Sequence, residues 1–166
     1  MSDQTSLPGF APPPDEEERR RHPLEHIFFA LIPGPQIVGD ALALRAGLMK
    51  SEQLHGTPRP GHLFHVTLCS LPAYGDSVAK DAYGKAALAA VAGLRHPQIQ
   101  VTFDRTELFG GGAYVLTGHN PKVVSLIKTL GLLLRRIRIS SRQMLAPHMT
   151  LLYAEGIPPR CSRCSR

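Results

Sequence analysis

The chain has 166 residues, of which 43% are hydrophobic and 6% aromatic, with no tryptophan and a formal net charge of +6. That length and apolar content suit one domain and exclude wholesale disorder, while fifteen glycines and fifteen prolines punctuate the chain too often for a bundle of long helices. No apolar run approaches the roughly 20 residues of a bilayer span, no basic segment followed by an apolar stretch opens the chain, and Cys69, Cys161 and Cys164 are too few for a disulfide framework. A monomeric cytoplasmic protein without a membrane partner is expected.

In chain order, residues 1–24 are rich in Pro, Gly, Glu and Arg and read as a disordered tail. A folded region is expected over 25–155. His26 to Ile32 reads as a buried strand stopped by Pro33-Gly34-Pro35. Pro35 suits the first turn of a helix running to about Met49, with Ile37, Val38, Ala41, Leu42, Leu44 and Leu48 largely at helical spacing. A Gly/Pro loop leads to a strand from His62 to Ser70, then to an alanine-rich helix over about Ser77 to Gly93. Gln98 to Leu108 alternates and predicts a half-exposed strand, and Gly110-Gly111-Gly112 predicts a hairpin turn into a strand over Ala113 to Thr117. Asn120 is placed as an N-cap before Pro121, opening a helix to about Arg135 with Val123, Leu126, Ile127, Leu130 and Leu134 on one face. A final strand covers His148 to Tyr153, and residues 156–166 form an irregular tail. Strand, Pro-started helix, loop and strand thus occur twice, which predicts an internal pseudo-twofold.

The closing strand of each half carries the same pattern: His65-Val66-Thr67-Leu68 and His148-Met149-Thr150-Leu151. With eight histidines in the chain, chance supplies such a pattern roughly 0.07 times, so a matched pair is specific. On a strand, His65 and Thr67 share one face while Val66 and Leu68 take the other, and the second motif repeats the arrangement. Two imidazoles facing one cleft suit acid–base chemistry at phosphate, one neutral and one protonated, with each threonine hydroxyl donating to a non-bridging oxygen. This chemistry calls for no metal and no other cofactor.

The paired motifs, the order of elements and the Pro-His-Met-Thr-Leu-Leu-Tyr ending resemble the two-histidine phosphoesterase superfamily, and within it the bacterial RNA 2′,3′-cyclic phosphodiesterases, also called the 2′-5′ RNA ligase family. The likeness covers about residues 25–155, and Phe103-Asp104-Arg105 is similar to the family's central segment. It implies an α+β fold of two pseudo-symmetric lobes, each an antiparallel sheet with outer helices, around a V-shaped cleft. It also implies hydrolysis of an RNA or nucleotide 2′,3′-cyclic phosphate to a 2′-phosphate. His148 would take the proton of the attacking water, His65 would protonate the departing 3′-oxygen, and Thr67 and Thr150 would hold the phosphate. Family members continue beyond the second motif through further sheet-forming segments, so the abrupt shift after Tyr153 predicts an incomplete C-terminal lobe. A non-catalytic RNA-binding module and 2′-5′ end joining are the alternatives.

Other signals are weaker. Arginine outnumbers lysine, and Arg59 before the first motif and Arg142 before the second are candidate contacts for an RNA backbone, against an ordinary solvated basic surface. Cys161-x-x-Cys164 is half a zinc site, and His62 and His65 face opposite ways on a strand, so neither pair predicts a metal. By strict alternation Cys69 joins the face of His65 and lines the cleft, against the ordinary reading of a small core cysteine, whereas Tyr153 falls opposite His148, where core packing outweighs stacking on a base.

Overall fold

The computed structural model describes residues 26–72 and 77–155, with side chains from residue 80 in the second segment. The expected tails at 1–24 and 156–166, with Cys161 and Cys164, lie outside the described residues. Among the described residues, seven strands form one antiparallel sheet, with three α-helices. In chain order the elements are β1 (Phe28–Leu31), α1 (Pro35–Ser51), β2 (Gly56–Pro58), a 3-10 turn (Gly61–Leu63), β3 (Val66–Ser70), α2 (Ser77–Val91), β4 (Arg105–Phe109), β5 (Ala113–Thr117), α3 (Pro121–Arg136), β6 (Arg142–Gln143) and β7 (His148–Ala154). The fold class is α+β, as the sequence implies.

The strand order β1-β3-β7-β5-β4 places the two motif strands at the centre, each flanked by the first strand of its own half. The short strands are exchanged: β2, from the first half, pairs with β7, and β6, from the second, pairs with β3. Backbone bonds repeat the exchange, with Arg59 N–H on the Leu151 carbonyl at 2.9 Å and Met144 N–H on the Leu68 carbonyl at 2.9 Å. Leu151 and Leu68 each stand three residues after a motif histidine. The internal repeat is therefore a property of the fold. β2 and β6 are too short to carry a hydrophobic period, so sequence reading passes over them.

The helices start as their prolines dictate, with Pro35 and Pro121 in first turns where no backbone donor is lost. The apolar face of α3 is buried as expected, through Val123, Leu126, Ile127, Leu130 and Leu134. These pack with Leu68, Cys69 and Leu71 under β3. The stripe of α1 is narrower than its composition predicts. Ala41, Val38, Leu42 and Leu48 pack on Val66, Met149 and Leu151, while Ile37 and Leu44 face outward. The β4–β5 hairpin turns through Gly111 and Gly112 at φ +81° and +80°, where a Cβ would be strained.

Two expectations are corrected here. The alternating segment 98–104 is not in a strand, which begins only at Arg105. Its neighbour β5 ends at Thr117, whose carbonyl accepts from Asp104 N–H at 3.0 Å, and the chain turns into α3 at Pro121, so the ladder stops at Asp104. One residue side chain substitutes for a rung. Asn120 accepts from Thr102 N–H at 2.8 Å and donates from Nδ2 to the Thr102 carbonyl at 2.8 Å and the Gly118 carbonyl at 3.2 Å. Asn120 thus occupies the N-cap position of α3, but its side chain makes no capping bond.

Candidate active site

β3 and β7 pair at one point, Val66 opposite Met149. Beyond it β3 runs beside β6 and β7 beside β2, so the motif strands meet and then part. Val66 and Met149 are buried in the same core cluster. Their neighbours His65, Thr67, His148 and Thr150 therefore share the other face, and all four are partly exposed. One step either way along the antiparallel register sets His65 across from Thr150 and Thr67 across from His148. The two histidines then occupy diagonal positions of the ladder, whose backbones stand roughly 7–8 Å apart. The four sequence-predicted residues are thereby brought together.

Each histidine is held the same way. His65 Nδ1 lies 2.8 Å from the Leu63 carbonyl and His148 Nδ1 lies 2.8 Å from the Ala146 carbonyl, in both cases two residues upstream. A carbonyl only accepts, so Nδ1 carries the proton, and Nε2 is the nitrogen left to exchange one. Each ring also rests on a phenylalanine. Phe28 stacks on His65 with centroids 5.0 Å apart, and Phe109 tilts against His148 at 4.6 Å. Behind His148, the buried Thr117 donates to the Pro147 carbonyl at 3.0 Å and fixes the residue that precedes the motif. Leu63, Ala146, Phe28, Phe109 and Thr117 carry no motif. Nothing local in the sequence singles them out, because the fold alone brings them to the histidines.

Strict alternation fails just past each motif. Along β3, Ala30 is opposite Thr67 and Phe29 opposite Cys69, so β3 holds one extra residue. Along β7, Val115 is opposite Thr150 and Tyr114 opposite Leu152, again with one extra residue. These are β-bulges at equivalent places, and they turn two consecutive side chains into the core. Leu68 and Cys69 are both buried, as are Leu151 and Leu152. Cys69 therefore leaves the face of His65, and burial pushes its thiol above the ordinary range near 9.0. Tyr153 conversely returns to the face of His148 and is exposed rather than packed in the core. The signal was legible: Leu68-Cys69 and Leu151-Leu152 are consecutive apolar pairs that an alternating strand does not accommodate.

Of the two candidate arginines, Arg59 stands at the exit of β2 and reaches the 3-10 turn that leads into β3 and, across from it, strand β7. Its Nε donates to the Leu63 carbonyl at 3.0 Å and its Nη1 to the Tyr153 hydroxyl at 3.2 Å. Arg142 is exposed on β6, opposite Ser70 at the far end of β3. Arg105 is bound to Glu107 at 2.6 Å and Asp104 at 2.9 Å. Among the described residues, no group of three or more His, Cys, Asp and Glu is placed to hold a metal ion. No described helix is long and apolar enough to cross a membrane.

No family model matches the chain, and no curated protein matches it. Solved structures do share its fold. E. coli LigT in complex with 3′-AMP is 22% identical, with a TM-score of 0.58 over 84% of this chain and 80% of that one. A phosphoesterase is 22% identical, with a TM-score of 0.62 over 82% and 78%. E. coli LigT in complex with NADP+ is 23% identical, with a TM-score of 0.59 over 82% and 78%.

Proposed function

We propose that the chain is a two-histidine phosphoesterase that opens the 2′,3′-cyclic phosphate of an RNA end or a nucleotide to a 2′-phosphate. The observation that carries this reading is the matched pair of imidazoles. Both are tied through Nδ1 to a backbone carbonyl, so both present Nε2 on the face where Thr67 and Thr150 also stand. The fold shared with a phosphoesterase, and with E. coli LigT carrying 3′-AMP, supports it.

In this mechanism His148 is neutral, and its Nε2 takes a proton from water as the water oxygen attacks phosphorus. His65 is protonated, and its Nε2–H is transferred to the departing 3′-oxygen. The P–O3′ bond breaks as the new P–O bond forms, and exchange with solvent restores both rings. Thr67 and Thr150 donate to the non-bridging oxygens, where negative charge builds in the transition state. Arg142 is proposed to meet the RNA backbone upstream of the reacting end. Joining of RNA ends through a 2′-5′ linkage is the same ring opening with a 5′-hydroxyl in place of water: the P–O5′ bond forms as the P–O3′ bond breaks.

The test is turnover of a nucleoside 2′,3′-cyclic phosphate in EDTA, with products separated into 2′- and 3′-phosphates. A 2′-phosphate formed by the wild type, and lost in His65→Ala and His148→Ala, is expected. Binding of the nucleotide without turnover would replace the enzyme with a binding module. Accumulation of joined ends in the presence of a 5′-hydroxyl RNA would favour the ligase direction.

A further inference from the structure

Both halves of the site hold a histidine through a backbone carbonyl, and they differ in the residue that follows the exchanged strand. Arg59 and Met144 are counterparts, since each follows the exchanged strand and each donates its backbone N–H to the residue three beyond a motif histidine. The Met144 side chain is a thioether with no donor, so it adds nothing to the carbonyl that holds His148. Arg59 does add. Its Nε shares the Leu63 carbonyl with His65 Nδ1, at 3.0 and 2.8 Å, and occupies that oxygen's second lone pair. Its Nη1 reaches across to the Tyr153 hydroxyl on β7, beyond the bulge. The side chain is itself braced from behind. Arg45 Nη1 donates to the Arg59 carbonyl, and the Arg45 guanidinium lies 5.9 Å from the Phe64 ring centroid.

We propose that Arg59 is a positioning residue: its planar guanidinium ties the carbonyl that orients His65 to the Tyr153 hydroxyl, and so holds the two histidine strands at one separation. β3 and β7 share a single paired position before they diverge, so the ladder alone leaves this separation soft. A guanidinium presents its donors in fixed directions and spans two acceptors without adjusting, which a single ammonium does not do. The catalytic return of such a tie is geometric, because an error near 1 Å at reacting atoms costs on the order of 10²-fold in rate. The inference rests on the two-histidine reading of the site, and its test has a readout that does not.

The experiment compares the full chain with Arg59→Ala, Arg59→Lys, Tyr153→Phe and the Arg59→Ala/Tyr153→Phe pair. On a nucleoside 2′,3′-cyclic phosphate, Arg59→Ala is expected to lower kcat by about 10- to 100-fold with KM within about threefold. Tyr153→Phe is expected to cost less, and the double variant no more than Arg59→Ala alone, since both changes cut one tie. Lysine is expected to recover only part of the loss. In 15N-histidine NMR spectra, the Nδ1–H form of His65 is expected to give way to a tautomer mixture in Arg59→Ala, with His148 unchanged. A raised KM at unaltered kcat would make Arg59 a substrate contact and overturn the proposal, as would fully additive single variants. If the wild type turns over no cyclic phosphate, the proposed function fails, and the His65 spectrum still decides on Arg59: an unchanged tautomer refutes it. Should Arg59→Ala not fold, Tyr153→Phe, which removes one oxygen, carries the same comparison.

Discussion

Asn120 separates two accounts of one residue, and the separation is measurable. As an N-cap of α3 it would satisfy a first-turn donor, and serine would replace it almost without loss, because Asn and Ser cap about equally well. The geometry gives it other work. Its amide makes three bonds, two to Thr102 and one to the Gly118 carbonyl, from a side chain only 6% exposed. Gly118 allows the close approach, since a Cβ there would stand 2.4 Å from the Thr102 carbonyl oxygen. Three bonds at roughly 1 kcal/mol each put the loss in Asn120→Ala at about 3 kcal/mol. For a domain of this size that lowers the thermal midpoint by roughly 6–12 °C. Asn120→Ser is expected to cost nearly as much, because a hydroxyl on one carbon cannot pair with both groups of Thr102. Urea unfolding followed by circular dichroism reads both variants. A serine variant within about 0.5 kcal/mol of wild type would show that capping is the role and refute the bridge.

Two further outcomes follow from the site and from burial. Thr67→Val and Thr150→Val keep the shape and remove the hydroxyl, and each is expected to lower kcat on a cyclic phosphate by about 10²-fold, as loss of one donor to a developing oxyanion does. Both positions are partly exposed, so urea midpoints are expected to move little, and full activity in both variants would remove the threonines from the mechanism. Burial raises Cys69 above its ordinary value of 9.0, and desolvation first among several causes raises Tyr114 above 10.0. The folded chain therefore keeps protons that the unfolded chain has released at alkaline pH, so stability is intact below about pH 9 and falls as pH rises past it. Thermal midpoints from pH 7 to 11 test this, with Tyr114→Phe expected to flatten the fall. A midpoint level to pH 11 would contradict it.

The shared fold places this chain among structures that include a phosphoesterase and nucleotide-bound E. coli LigT, at identities of 22–23%. The basic character of the sequence contributes little to the chemistry of the site. Arg105 is engaged by two carboxylates, and Arg59 is engaged by a carbonyl and a phenol. The proposed chemistry rests on the pair of Nε2 atoms and the pair of hydroxyls, with the exposed Arg142 as the proposed RNA contact.

The sequence by itself determined the parts with a period or a punctuation mark. The helices after Pro35 and Pro121, the buried stripe of α3, the Gly110–Gly112 hairpin and both histidine–threonine pairs follow from local steric rules and alternation, which act within a few residues. It also contained the two bulges, written as consecutive apolar pairs after each threonine, although alternation carried too far misplaced Cys69 and Tyr153. Tertiary structure decided the rest, because it depends on which distant segments become neighbours. The exchange of β2 and β6 between halves, the carbonyls of Leu63 and Ala146 behind the imidazoles, the rings of Phe28 and Phe109, and the diversion of Asn120 to Thr102 join residues with no local pattern. So does the bridge from Arg59 to Tyr153, which spans 94 positions in the chain. Spacing along the chain names the candidate groups, while their orientation is set by contacts that only the closed sheet supplies.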